Sequence, residues 1–401
     1  MQHTHLWQEE TTQVDGFTTL SVTIEQPNQT RSRLWYRLSS EYTSHLTKNC
    51  DPFVIATIFL AMQQSTDLVV HGEVSPSLLQ NLAEFQAAWS CWCPQRYRQV
   101  EITADVEREQ LKASTDKAIA AFSGGVDGCF TLWRHRMGRC GRWQRNIQAG
   151  LMVHGFDIPL EQEEVFHRAA QKSKVMLSSL GVELIPIATN FRSLKQDWED
   201  AFGTGIASCL MMFQGGYTAG LIGSSDPYHA LNLPYGSNPI TDSLLSSHSF
   251  QIICDGASFT RLQKVQEIAN WQEAYTNLRV CWEGSQPDKN CGRCEKCIRT
   301  ILNFRVIGLG LPPCFEQDVS DRQILAIQGL HKAQLIELDP ILEAAKAANI
   351  SESWVKALEV CIRQNRRAEL QKMYRQALRE KVPESVKARL RQVRALLPRK
   401  N

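Results

Sequence analysis

No apolar run in the 401-residue sequence approaches the ~20 residues that a membrane-spanning helix requires, so a helical membrane protein is not expected. The opening stretch, MQHTHLWQEETTQ, lacks the basic start and apolar centre of a secretory signal. Low-complexity tracts are few and charged residues reach only 21%, which excludes a largely disordered chain. No internal repeat is visible. What is present suffices for ordinary cores: 43% of residues are apolar, and the length suits two or three domains. Thirteen cysteines without a secretory signal point to reduced thiols or metal binding, and hence to a cytoplasmic protein with no membrane partner.

The net charge of +2 conceals an asymmetry. Residues 351–401 carry five Lys and nine Arg against five Glu, a balance of +9 that leaves −7 for the rest. Within this tail Leu370, Tyr374 and Leu378 recur at helical spacing, as do Val386, Leu390, Val393 and Leu397 beyond Pro383. Such a stretch is either a helical hairpin with a solvated basic face, or a surface for nucleic acid or an acidic protein partner.

Residues 1–110 read as a small α+β domain. FTTLSVTIEQ and SRLWYRLSS alternate as strands, DLVVHG is a short strand, and PFVIATIFLAMQQ and SPSLLQNLAEFQAAWSCW have helical length and pattern. A polar connection, REQLKASTDK, marks the expected boundary. Strands then alternate with helices over 115–310: KAIAAF, IQAGLMVHGFD, VELIPIATN, YTAGLIGSS, FQIIC and LRVCW are the expected strands. Their Val, Ile and Leu runs suit a parallel sheet covered on both faces, whose ligands bind at the carboxyl ends of the strands. Residues 311–401 return to helical patterns.

Two motifs carry chemistry. After the first of these strands comes AFSGGVDGCF. Gly124 and Gly125 permit positive φ and close backbone approach, and the amides that follow at a helix start form an anion nest. Ser123 can donate to a phosphate oxygen, and Asp127 can brace the loop or meet a metal. The turn is neither a Walker A loop nor a G-x-G-x-x-G fingerprint. The second motif is C-x9-C-x2-C-x2-C, formed by Cys281, Cys291, Cys294 and Cys297. Closely spaced thiolates of this kind share one tetrahedral centre, with Arg293, Lys296 and Arg299 near to offset their charge. Structural zinc is the first expectation, and a [4Fe–4S] cluster uses the same residues.

Ser123, Gly124, Gly125 and Asp127 resemble the S-G-G-x-D-S signature of PP-loop ATP pyrophosphatases, which cut ATP between its α and β phosphates. Gly128 departs from it where the family usually has a second serine, removing a hydroxyl worth about 1.5–3 kcal/mol to a charged group. Together with C-x9-C-x2-C-x2-C-x-R, the turn is similar to 7-cyano-7-deazaguanine synthase (QueC), over about residues 115–310. The resemblance implies an adenine-nucleotide alpha-hydrolase-like (Rossmann-like) parallel sheet with a zinc-binding insert, flanked here by extra N- and C-terminal regions. It also implies ATP, Mg2+ and a structural Zn2+ beside the substrate pocket. Some such relatives, as in Qat-type bacterial antiphage systems, look recruited to act on a protein partner.

Under the resemblance, Ser123, Gly124, Gly125, Val126, Asp127 and Gly128 hold phosphate, with Arg261 and Lys264 meeting the triphosphate. Main-chain groups of Met152 or Val153 lie by the adenine. His154, Asp157, Ser224, Ser225, Asp226 and Ser237 are candidates for substrate, phosphate or magnesium contacts, although His154 reads first as a structural histidine. Ser123, Asp127 and Lys264 are the catalytic candidates. The expected activity is an AMP-forming ligase that adenylates a carboxylate, such as a 7-deazaguanine derivative, for amide or nitrile formation or for conjugation to a partner. One alternative is a tRNA-thiolating enzyme using Cys129 or Cys254 and holding RNA on the basic tail. The other is a nucleotide-binding scaffold that has lost turnover, as Gly128 permits.

Overall fold

The computed structural model describes residues 3–281, 283–284, 286–330 and 332–380. The chain divides into two compact units, Met1–Asp318 and Val319–Asn401. The first unit opens with β1 (His3–Gln8), β2 (Thr12–Val14), β3 (Phe17–Glu25) and β4 (Arg31–Ser39), followed by α1 (Asp51–Gln64), β5 (Asp67–Val74), α2 (Pro76–Trp92) and β6 (Ile102–Glu107). Strands and helices then alternate: β7 (Lys117–Ala121), α3 (Val126–Arg136), β8 (Asn146–His154), α4 (Glu163–Ser179), β9 (Glu183–Thr189) and α5 (Trp198–Met211). The unit closes with β10 (Ala219–Gly223), β11 (Gln251–Asp255), α6 (Arg261–Ile268), α7 (Gln272–Asn277) and α8 (Glu295–Val306).

The eleven strands among the described residues join one sheet, in the order β11-β10-β7-β8-β9-β4-β3-β1-β5-β6, with β2 beside β3. Strands β11 to β9 are mutually parallel, as are β1, β5 and β6, and the antiparallel β4 and β3 connect the two blocks. The expected boundary between 110 and 115 therefore divides the sequence but not the sheet. The reason is an edge: β4 pairs antiparallel with β9, Tyr36 opposite Thr189, so the row of backbone groups on β9 is paired rather than left open. Asn190 strengthens the seam, its side chain accepting from the Trp35 amide and donating to the Arg33 carbonyl.

Side-chain alternation places different layers on the two faces. Met152 packs with Phe166, Ala169 and Ala170 of α4, whereas the adjacent Leu151 packs toward Leu210 and Met211 of α5. Helix α1 is buried along nearly its whole length, as its apolar composition on all sides dictates, and packs against α5. Phe59 lies at the centre of this layer, with ring centroids 4.7 Å from Trp89 and 4.9 Å from Tyr97. Phe59→Ala is expected to cost about 3–5 kcal/mol, read as a lower midpoint in denaturant unfolding with unchanged slope.

Of the expected strand LRVCW, residues 278–281 form no strand, and Trp282 lies outside the described residues. Residues 278–281 run without regular structure, because the Arg279 amide donates to the carbonyl of Gly124 at 2.8 Å and the Val280 amide to the side chain of Asn290. Leu278, Val280 and Cys281 are buried nonetheless.

The second unit is helical, with α9 (Asp321–Leu325), α10 (Lys332–Ala347) and α11 (Ser353–Glu380). Leu370 and Tyr374 of the expected apolar row are exposed on α11. The side chain of Leu378, and all of Val386, Leu390, Val393 and Leu397, lie outside the described residues. Among the described residues no helix is long and apolar enough to cross a membrane.

Candidate functional site: a glycine turn beside four cysteines

Strand order reverses direction at β7: the chain moves through β8 to β9 on one side and returns through β10 to β11 on the other. Ligands of open α/β sheets bind at this switch point, outside the carboxyl ends of the strands. The turn 123–125 sits there. Gly124 has φ +79°, a backbone region that other residues enter only with strain, and Gly125 leads directly into α3. The first amides of α3 have no carbonyl partner within the helix, so the turn presents N–H groups and the positive end of the helix dipole.

Gly223 ends β10 against this turn. A Cβ at position 223 would stand 2.7 Å from the carbonyl carbon and oxygen of Asp127, so only glycine lets the two segments approach this closely. A Cβ at Gly128 would lie 3.3 Å from the Ala121 carbonyl oxygen, which leaves little space for the serine usual in the resembling family.

Asp127 braces the turn. Its carboxylate accepts from Lys264 Nζ at 2.9 Å and from Arg261 at 3.2 Å. Burial pushes this carboxyl upward, but the Lys264 and Arg261 charges outweigh it and hold it below its ordinary 3.8. The stabilisation is therefore complete above about pH 4 and is lost as acid carries the carboxyl through its lowered value. Lys264 is 1% exposed and also donates to the Ser224 carbonyl. Lys264→Met is expected to destabilise the fold by about 3 kcal/mol and to move acid unfolding to higher pH, measured by thermal melts across pH 3–7.

Two adjoining cavities open over the turn. The smaller, about 110 Å³, is bounded by Ser123, Gly125–Gly128, Asp157 and Cys281 and by the cations Arg261, Arg279 and Lys296. Arg261 Nε is buried there with no hydrogen-bond partner among the described residues. The larger, about 460 Å³, shares Ser123, Asp127, Gly128, Asp157, Arg279 and Lys296 and extends between Val153 and a wall of Phe156, Trp198, Phe202 and Tyr235. Arg192 lies over the Trp198 ring at 4.2 Å. Burial, reinforced by Arg261 and Arg299, lowers the Lys296 amine to about 8.

The four cysteine sulfurs converge. Cys281 Sγ is 3.7 Å from Cys294 Sγ and Cys291 Sγ is 3.8 Å from Cys297 Sγ, and all four lie within 4.8 Å of one another. Thiolates at roughly 2.3 Å from one tetrahedral ion would stand about 3.8 Å apart, so the cluster can hold a single metal. A four-iron cube has a wider body and would need the sulfurs spread further. The cluster abuts the smaller cavity through Cys281.

Several sequence candidates are placed differently from expectation. Lys264 bonds Asp127 and the Ser224 carbonyl and lines neither of these two cavities. His154 faces α4: its Nε2 is 2.9 Å from the Pro159 carbonyl, and its ring stacks on Phe166. Ser224 donates to the Asp226 carbonyl and Asp226 accepts from the Asn232 amide, so both shape the 224–232 loop and neither lines a cavity. Ser225, Ser237, Val153 and Asp157 do line the larger one. Cys129 is buried beside Met176, and neither it nor Cys254 reaches either cavity. The cavity-facing Arg279 was not expected, and Lys296 was expected only to balance thiolate charge. The signal for both was proximity to the cysteines: two residues before Cys281 and one before Cys297.

Set against known protein families, curated proteins and solved structures, the chain matches none of them.

Proposed function

We propose that the protein is an ATP-dependent, AMP-forming enzyme that activates a carboxylate. The observation that carries this reading is the smaller cavity: a glycine turn at a sheet switch point, faced by Arg261, Arg279 and Lys296. Peptide amides and three cations around so small a volume suit a polyphosphate. The aromatic-walled cavity beside it suits a planar base.

In this reading the triphosphate lies on the 123–128 turn with Mg2+, the base enters beside Val153, and the α-phosphate faces the larger cavity. A substrate carboxylate attacks that phosphorus, pyrophosphate leaves, and a nitrogen nucleophile then displaces AMP from the acyl-adenylate. Arg279 and Lys296 stabilise the charge that builds on the departing pyrophosphate. A set of four thiolates, with no further ligand among the described residues, suits a structural Zn2+ in the wall of the site. A deazapurine carboxylate and a protein-borne nucleophile fit the resemblance noted in the sequence. A thiolation role has less support, since neither Cys129 nor Cys254 reaches a cavity.

The test is turnover of ATP with Mg2+ in the presence of deazapurine carboxylates or a co-purified protein partner. AMP and pyrophosphate in equal amounts are expected. ADP and phosphate, or no turnover with any of these, would count against the proposal.

A further inference from the structure

The segment that carries the cysteines is not simply beside the glycine turn; it is bonded to it through one residue. Arg279 donates its backbone amide to the Gly124 carbonyl at 2.8 Å and its Nε to the Ser123 carbonyl at 3.1 Å. A third donor, Nη1, reaches the Pro287 carbonyl at 3.0 Å, inside the loop between Cys281 and Cys291. The guanidinium is buried, and its Nη2 is 3.5 Å from Asp157, which lines both cavities. One planar fork thus joins the turn, the metal loop and the cavity wall, and lysine has no second donor in the required plane. Asn290 closes the other end of the loop: its side chain donates to the Leu278 carbonyl and accepts from the Val280 amide, on either side of Arg279.

From this geometry we infer that the metal centre and the glycine turn form one coupled unit, with Arg279 as the positioning residue that transmits each state to the other. The inference rests on the nucleotide reading above. A metal that fixes Cys281 and Cys291 fixes the loop whose Pro287 carbonyl holds the Arg279 side chain, and Arg279 in turn holds the 123–125 turn through the Ser123 and Gly124 carbonyls in its anion-accepting shape. By linkage the effect is reciprocal: an anion seated on the turn must hold the metal more tightly.

The experiment follows release of the metal from purified full-length protein to a chromogenic chelator, with and without α,β-methylene-ATP and Mg2+. Binding of the analogue is measured separately by calorimetry. The expected result is release about tenfold slower with saturating analogue, within the usual range of coupling between sites. Adenosine, which lacks the phosphates, is expected to give no such slowing. At analogue concentrations that calorimetry shows to saturate each variant, Arg279→Ala and Arg279→Lys are expected to keep one metal per chain yet lose the protection, a change that neither weaker binding nor a purely structural defect would confine to the saturated state.

Analogue that binds without slowing release from the unmutated protein overturns the coupling while leaving the nucleotide reading intact. Equal protection by adenosine also overturns it, and absence of analogue binding overturns both. The comparison on unmutated protein decides the matter even where an Arg279 variant does not fold.

Discussion

Replacing Cys297 with Ser is expected to empty the four-cysteine site and to loosen the segment that carries it. Cys297 is fully buried in the first turn of α8, while Cys294 immediately precedes the helix. The described residues between 278 and 294 include neither helix nor strand, so their shape depends on Asn290, on Arg279 and on the thiolates. Structural zinc sites contribute on the order of 10–16 kcal/mol to folding of peptides that have little else. Here the sheet folds on other grounds, so the expected loss is local. Metal content should fall to below about a tenth of an equivalent. Hydrogen exchange should rise over 278–297 and over the 123–125 turn, with β8 still protected. Retention of a full equivalent of metal would remove Cys297 from the ligand set.

Gly223→Ala should affect ligand binding most strongly while leaving the fold in place. The added Cβ would meet backbone atoms of Asp127 at 2.7 Å, and neither β10 nor the start of α3 has a flexible side-chain end there to give way. The first turn of α3 must move, and with it the amides of 126–128. Overpacking of this kind costs about 1–3 kcal/mol of stability. A displacement near 1 Å at a positioning element can cost on the order of 100-fold in turnover. The expected outcome is ATP turnover lowered by about that factor, with a cooperative thermal transition retained. Unchanged turnover would mean that the turn does not hold the reacting nucleotide.

Much of this arrangement was legible in the residues. β7, β8, β10 and β11 are short apolar runs with little alternation, as strands buried on both faces must be, and the glycine turn and cysteine spacing announced themselves. The N-terminal strand HTHLWQ was not legible, because its open face carries His3, His5 and Trp7 in place of ordinary polar residues. LRVCW misled for the opposite reason. Leu278, Val280 and Cys281 are buried as strand residues would be, but the amides of Arg279 and Val280 are taken by Gly124 and Asn290 instead of by a neighbouring strand.

Charged site residues were the hardest to assign. Lys264 and Arg261 lie three apart on α6, as read, but whether each faces a cavity or a buried carboxylate depends on where Asp127 lies, a tertiary fact. Lys296 depends likewise on how α8 begins after Cys294. That one sheet spans both sides of residue 110 was not legible, because nothing local in β4 reveals that its partner is a strand about 150 positions later.

The central claim is that the glycine turn, with the cations around it, seats the phosphates of a nucleotide. Calorimetric titration of the metal-loaded protein with α,β-methylene-ATP and Mg2+ tests it most directly. One site per chain is expected, with affinity lost in Gly223→Ala. Absence of binding, or binding that the substitution leaves untouched, would contradict it.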